Sequence, residues 1–139
     1  MLEVGQVLVL KIRFNNEGRV SDTAHPYFVV SISNETVEIA QCSSLKGKER
    51  KAAFRSNKVI SCDNPKETVI DTDSYVQLDN KFTIENFVGL DSFRRQKAKL
   101  SDGKLQDLIN AYYNYHARCA IDENKIVYMD ANEIMRLNR

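Results

Sequence analysis

Glycine is scarce and scattered. Five glycines stand at positions 5, 18, 47, 89 and 103, too far apart to build a phosphate-cradling loop. Three cysteines, Cys42, Cys62 and Cys119, form no CxxC pair, so neither a disulfide framework nor a zinc site is indicated. A reducing cytoplasm is the expected compartment. The longest apolar run, Val7-Leu8-Val9-Leu10, has the length of a strand and falls far short of the ~20 residues of a membrane helix. The start, Met1-Leu2-Glu3-Val4-Gly5, lacks the basic and apolar regions of a signal peptide. HExxH and GxSxG are missing, and His25 and His116 do not have metal-ligand spacing. No cofactor or metal is expected, and the oxidoreductase, kinase, zinc-hydrolase and serine-hydrolase classes have little support.

What is present is the composition of a globular domain. Hydrophobic residues make up 42% and charged residues 28% of 139 residues, which argues against wholesale disorder and for one domain over 1–139. The net charge of +1 conceals strong local imbalance. Lys46, Lys48, Arg50, Lys51, Arg55 and Lys58 face only Glu49, a local +5. Asp63, Glu67, Asp71, Asp73 and Asp79 follow against Lys66, a local −4. A third block, Arg94-Arg95-Gln96-Lys97-Ala98-Lys99, adds four cations. Compact basic blocks are either phosphate-binding surfaces or solvated faces.

Period-two patterning dominates the first ninety residues. Strands are expected near 6–14, 26–32, 36–42, 58–62, 74–78 and 82–85, with Glu67 to Ile70 a further candidate. In the first of them Leu10, Ile12 and Phe14 share one face, and Lys11 and Arg13 the other. Asn15-Asn16-Glu17-Gly18 signals a turn that opens a polar loop of about ten residues, long for a small domain. Pro26 is tolerated at the first position of the strand that follows. The third strand, with Val37 and Ile39 facing in, leads to the basic loop 44–57, and Asp63-Asn64-Pro65 closes the fourth strand. Asp79-Asn80 marks a hairpin turn.

The period then changes. Leu105, Leu108, Ile109, Tyr112 and His116 share one helical face, which predicts a helix over 102–118 with Ser101 as N-cap and Asp102 in its first turn. Ile126 to Met129 reads as a strand, and Asp130 as the cap of a helical turn from Ala131 to Leu137. Many short strands followed by one long helix predict a mainly β, α+β fold: a small barrel with appended helices.

Gly5-Gln6-Val7, an apolar strand to Phe14, a polar loop, Pro26 and then Phe28-Val29-Val30-Ser31 resemble the opening of the PemK/MazF-like toxin family. That opening runs glycine-x-valine, strand, loop, arginine-proline and a valine-rich strand ending in serine. Val37-Glu38-Ile39-Ala40 leads into Gln41-Cys42-Ser43-Ser44, where the family carries a threonine or serine. Ser74 to Leu78 with Phe82-Thr83-Ile84 is similar to its paired later strands, and Lys99-Leu100-Ser101 to the entry of its closing helix. The resemblance covers residues 5–117 and leaves 118–139 as a C-terminal extension.

The resemblance implies an SH3-like β-barrel, usually dimeric, that cuts single-stranded RNA without metal and is neutralised by a protein or RNA antitoxin. The implied catalytic residues are the one before the proline, here His25 instead of arginine, and a hydroxyl from Ser43 or Ser44. Metal-free cleavage sets the ribose 2′-OH on the adjacent phosphate, so a fixed cation and a proton-transfer group are both needed. Histidine can supply charge or move protons near neutral pH. At position 25 it either replaces the arginine with an altered mechanism or leaves the site inactive, and Arg19 in the same loop is a substitute cation. The alternative for Ser43 and Ser44 is a turn pair at a strand end.

Lys46, Lys48, Arg50, Lys51 and Arg55, with Phe54 among them, suit a surface that tracks single-stranded RNA by charge and stacking. Phe54 is otherwise a core residue. Tyr27, Tyr113 and Tyr115 are further aromatic candidates, while Tyr112 and His116 continue the apolar helix stripe. The second functional reading is a non-catalytic module on the same barrel, binding RNA or a protein partner.

Overall fold

A computed structural model describes residues 1–63 and 69–139. It is a mixed α+β fold with seven strands in one connected sheet that does not close on itself. The strands are β1 Val7–Leu10, β2 His25–Ile32, β3 Thr36–Ser44, β4 Asn57–Ile60, β5 Ser74–Gln77, β6 Lys81–Glu85 and β7 Ile126–Met129. Helix α1 spans Asp102–Arg118 and α2 spans Ala131–Leu137. Short 3-10 helices occupy Glu49–Ala53, Leu90–Phe93 and Glu123–Lys125.

Strand β3 is the hub. One edge pairs antiparallel with β2, from Tyr27–Gln41 to Ile32–Val37, with a register shift between Val29 and Ser31. The other edge is shared. Thr36 to Ile39 pair with β6, and Cys42 to Ser44 pair with β5, which in turn pairs with β4. The last pair, β6–β7, is parallel. The β2–β3 turn is fixed by Ser33, whose Oγ accepts from the Thr36 amide at 3.0 Å and whose amide donates to the Thr36 carbonyl at 2.8 Å.

Alternation along these strands feeds two cores, one on each face. Val7, Phe28, Val30, Ala40, Cys42, Ile60 and Val76 pack with Leu108 and Tyr112 of α1. Leu8, Leu10, Tyr27, Val29, Val37, Ile39, Phe82 and Ile84 pack with Val127, Met129 and Ile134. Burial on both faces is why β1 and the middle of β2 run apolar, while β3 and β6 keep an alternation of buried and half-buried residues. It also puts Ala40 and Cys42 inside, beyond the inward-facing Val37 and Ile39 expected from the pattern.

Several boundaries differ from the sequence expectation. The first strand stops at Leu10 because the side chain of Asn138 takes the place of a neighbouring strand. Its Oδ1 accepts from the Lys11 amide at 2.7 Å and its Nδ2 donates to the Lys11 carbonyl at 2.9 Å. Arg13 and Val20 then form an isolated bridge around the Asn15–Gly18 turn. Phe14, expected to share the inward face of Leu10 and Ile12, is 37% exposed. The fourth strand ends at Ile60, two residues early, and the Cys62 amide donates to Asp73 Oδ1 at 2.7 Å instead of to a ladder. Of the candidate strand 67–70, Glu67 and Thr68 lie outside the described residues, as do Asn64 and Pro65 of the expected stop. Val69 and Ile70 are buried but belong to no strand.

Residues 94–100 form a strap along the outer edge of β1. The Arg95 amide donates to the Val7 carbonyl at 2.8 Å and the Leu100 amide to the Gly5 carbonyl at 3.0 Å. Gln6, 1% exposed, secures it: Nε2 donates to the Lys97 carbonyl at 2.7 Å while Oε1 accepts from the Glu3 amide at 2.8 Å. The tail is equally integrated. Arg13 Nε donates to Glu133 Oε2 at 2.7 Å and Nη2 to the Tyr128 carbonyl at 2.7 Å. Asn16 Nδ2 donates to the carbonyls of Glu123 and Ile126, each at 2.8 Å.

Candidate functional site

The loop after β1 folds over the start of β2 and leaves an open cleft of about 730 Å³. Arg19, Ser21, Asp22, His25, Tyr27 and Gln41 are among its lining residues. His25 is half-buried at the first position of β2, opposite Leu10. Arg19 is exposed on the loop above it. The His25 ring and the Arg19 guanidinium have no hydrogen-bond or ion-pair partner among the described residues. Both are therefore available to a ligand.

The cleft floor is rigid. Ser21 Oγ donates to the Ile12 carbonyl at 3.2 Å, and the Ser21 amide donates to the same oxygen at 2.9 Å. Tyr27 is 1% exposed, and burial pushes its hydroxyl up to about 12, against a hydrogen bond with Ser21 that acts the other way. It stays a neutral phenol throughout the physiological range. Tyr27 is a floor residue packed edge-on against Phe82 at 6.1 Å, and its ring is covered, so it offers no face to a base.

Ser43 and Ser44 do not join His25. The β2–β3 ladder ends at Tyr27–Gln41, one pleat short of bringing His25 and Ser43 opposite each other. Beyond that point β3 pairs with β5, Ser43 with Tyr75 and Ser44 with Ser74. The two serines line a separate pocket of about 170 Å³ with Pro26, Cys42, Asp71, Thr72, Ser74 and Arg95. Gln41 takes the place in the His25 cleft that a serine was expected to hold. Ser44 also has the turn role weighed as its alternative, since its Oγ accepts from the Lys46 amide at 3.1 Å. Burial pushes the Cys42 thiol up to about 11, so it is a packed, unreactive group despite its place in this wall.

The basic loop is a separate surface. Lys46, Lys48, Arg50 and Arg55 are exposed and Lys51 is half-exposed. None of the five has a carboxylate within ion-pair distance among the described residues. Phe54 is 49% exposed, so it is not a core residue, and Lys51 Nζ stands 5.6 Å from its ring centroid. Arg55 lines a groove of about 230 Å³ with Lys58 and with Tyr115 and Arg118 of α1. Tyr113 is 46% exposed. Tyr112 is fully buried and donates to Glu38 Oε2 at 2.9 Å. His116 stacks on Tyr112 with centroids 4.1 Å apart and donates from Nε2 to the Leu78 carbonyl at 2.8 Å.

Two residues of these cavities were not anticipated. Gln41 sits on a strand face that pattern alone assigns to the core. Arg95 belongs to a basic block whose cations look alike in sequence, and only the strap geometry sends this one toward β3. Among the described residues no group of three metal-ligating side chains occurs, and no helix is long and apolar enough to cross a membrane. A guanidinium and an imidazole that line one cleft, neither partnered among the described residues, can bind a phosphodiester and move a proton. Neither the family models nor the curated proteins compared with the chain give a match.

Proposed function

We propose that this chain is a metal-independent endoribonuclease for single-stranded RNA, the toxin of a toxin–antitoxin pair. In this reading it is a PemK/MazF-like protein on an SH3-like barrel, working as a homodimer and restrained by a protein or RNA antitoxin. The observation that carries the reading is the unpartnered Arg19–His25 pair in the 730 Å³ cleft. The guanidinium of Arg19 holds a backbone phosphate. The neutral imidazole of His25 takes the proton of the adjacent ribose 2′-OH as that oxygen attacks phosphorus. The imidazolium so formed gives that proton to the 5′-oxygen of the next nucleotide as the P–O5′ bond breaks, and the product ends in a 2′,3′-cyclic phosphate. Charge builds on the phosphoryl oxygens in the transition state, where a fixed cation is worth most.

The test is incubation with mixed RNA in EDTA, with the new ends sequenced and their phosphates identified. Cyclic phosphate ends made by the wild type, and lost in His25→Ala, are the expected result. His25→Arg separates charge from proton transfer, because arginine supplies a fixed charge and cannot act as a base. Full activity in His25→Ala would remove histidine from the mechanism.

The separation of Ser43 from His25 favours a second reading, a non-catalytic RNA-binding module that uses the basic loop. Changing Lys48, Arg50 and Lys51 to alanine should then lower the log–log salt slope of RNA binding by about 2, at ~0.7 per phosphate contact. An unchanged slope would assign the loop to solvent.

A further inference from the structure

We propose that the pocket at the end of β3 is a second phosphate subsite, in which Arg95 holds a neighbouring backbone phosphate of the same RNA strand. The inference rests on the RNA reading above and extends it to residues outside the Arg19–His25 cleft. The pocket has a volume of about 170 Å³ and gathers the hydroxyl-bearing residues Ser43, Ser44, Thr72 and Ser74 around one guanidinium. Ser74 Oγ donates to the Thr72 carbonyl at 2.9 Å, which leaves the hydroxyls of Ser43, Ser44 and Thr72 as donors beside the forked cation, a set that suits a tetrahedral oxyanion.

Arg95 is held by its backbone, with its amide on the Val7 carbonyl at 2.8 Å. Among the described residues its side chain makes one long hydrogen bond, Nη1 to the Val69 carbonyl at 3.4 Å. No carboxylate lies within 4.0 Å of it among the described residues, although Asp71 lines the same pocket. The guanidinium therefore keeps most of its donors for a ligand. The Ser43 hydroxyl has no hydrogen bond among the described residues, so it too is free to donate.

Position ties the pocket to the cleft. Pro26 lines the pocket and His25 the cleft, and these are consecutive residues. Gln41 lines the cleft and Ser43 the pocket, about 7 Å along the same strand. The two cavities thus flank one strand end, and a single extended nucleic-acid backbone can reach both. Asp71 sets the charge preference. One carboxylate beside one guanidinium leaves the pocket near neutral, which suits the single charge of a phosphodiester better than the double charge of a terminal phosphate.

The probe is a short 2′-O-methyl RNA, which has no nucleophile, so that binding is measured apart from cleavage. Adding it to the full chain should shift the amide resonances of Ser43, Ser44, Thr72 and Ser74 and the Nε–H of Arg95. Arg95→Gln should abolish these shifts, weaken binding several-fold and lower the salt slope by about 0.7. Arg95→Lys should retain the slope and lose part of the affinity, because the charge remains without the fork. Asp71→Asn should tighten binding. A thermal melt of each variant checks the fold. Shifts confined to the basic loop, or an Arg95→Gln variant that binds like the wild type, would overturn the subsite. Pocket shifts without any cleavage of ordinary RNA would leave the subsite standing and remove the nuclease reading. Cleavage with an unaffected Arg95→Gln variant would do the reverse.

Discussion

Residues 118–139 were expected to be a C-terminal extension, yet Ile134 of α2 is 0% exposed and packs in the same core as Leu10 and Phe82. Ile134→Ala should therefore behave as a core truncation and cost about 2–5 kcal/mol. At ~2.1 cal/mol/K per residue the unfolding entropy of 139 residues is about 0.3 kcal/mol/K, so the midpoint should fall by about 7–17 °C. Circular dichroism on a reversible melt reads this directly. Removing residues 119–139 should do more. It uncovers what Val127, Met129 and Ile134 bury, each worth about 1.5–3 kcal/mol, and it strips Arg13 and Lys11 of their partners. That sum is comparable with a whole domain's stability of about 5–15 kcal/mol, so the shortened chain should lose cooperative unfolding. A shift below about 3 °C in Ile134→Ala, near 1 kcal/mol, or a truncated chain that melts like the whole, would show that the tail is an appendage.

Gly5 has φ +94°, and a Cβ there would stand 3.0 Å from Leu105 Cδ2. Gly5→Ala should cost about 1–3 kcal/mol, chiefly from the backbone, since a leucine tip can shift; a urea midpoint within error of the wild type would refute it. Tyr112→Phe deletes the hydrogen bond to Glu38 without changing the packing volume, and a loss of about 1–2 kcal/mol is expected in the same assay. For His116, burial lowers the pKa, while the Leu78 carbonyl and Glu38 act in the opposite direction. The folded state thus binds the proton less readily than the unfolded chain. Its contribution is intact above the ordinary histidine value of about 6.5 and is lost as pH falls below it. Melts at pH 7.5 and 5 should show a larger drop for the wild type than for His116→Gln, and equal drops would refute the assignment.

Helix α1 was legible because its apolar stripe repeats over three turns, and the structure places it at Asp102–Arg118 as the spacing predicts. Asp130 was legible for a local reason too, and its Oδ1 accepts from the Glu133 amide at 2.8 Å. What depends on distant partners was not. Nothing in Val7 to Phe14 says that Asn138 will end the strand, and nothing in Arg94 to Lys99 distinguishes a strap from a solvated charge block. The parallel β6–β7 pair joins segments more than forty residues apart, Lys81 with Ile126 at one end. For the site, sequence proximity was enough to unite Arg19 in the loop with His25 at the start of β2 just after it. The grouping of Ser43 with Arg95 required knowing which strand β3 pairs with after Gln41.

That change of partner explains why the cavities lie where they do. Pro26 has no N–H to give a ladder, and the β2–β3 ladder stops one residue away at Tyr27–Gln41. From Cys42 onward β3 pairs with β5 across its other edge. The start of β2, paired there only with β1, and the end of β3 are therefore not joined by a ladder among the described residues. His25 and Gln41 line the cleft under the β1–β2 loop, while Pro26, Ser43 and Ser44 line the pocket beside the strap. A proline at this position thus does more than open a strand. It stands where the β2–β3 pairing has ended, with a cavity on either side of it, and Arg19 lines one and Arg95 the other, neither with a carboxylate in ion-pair distance among the described residues.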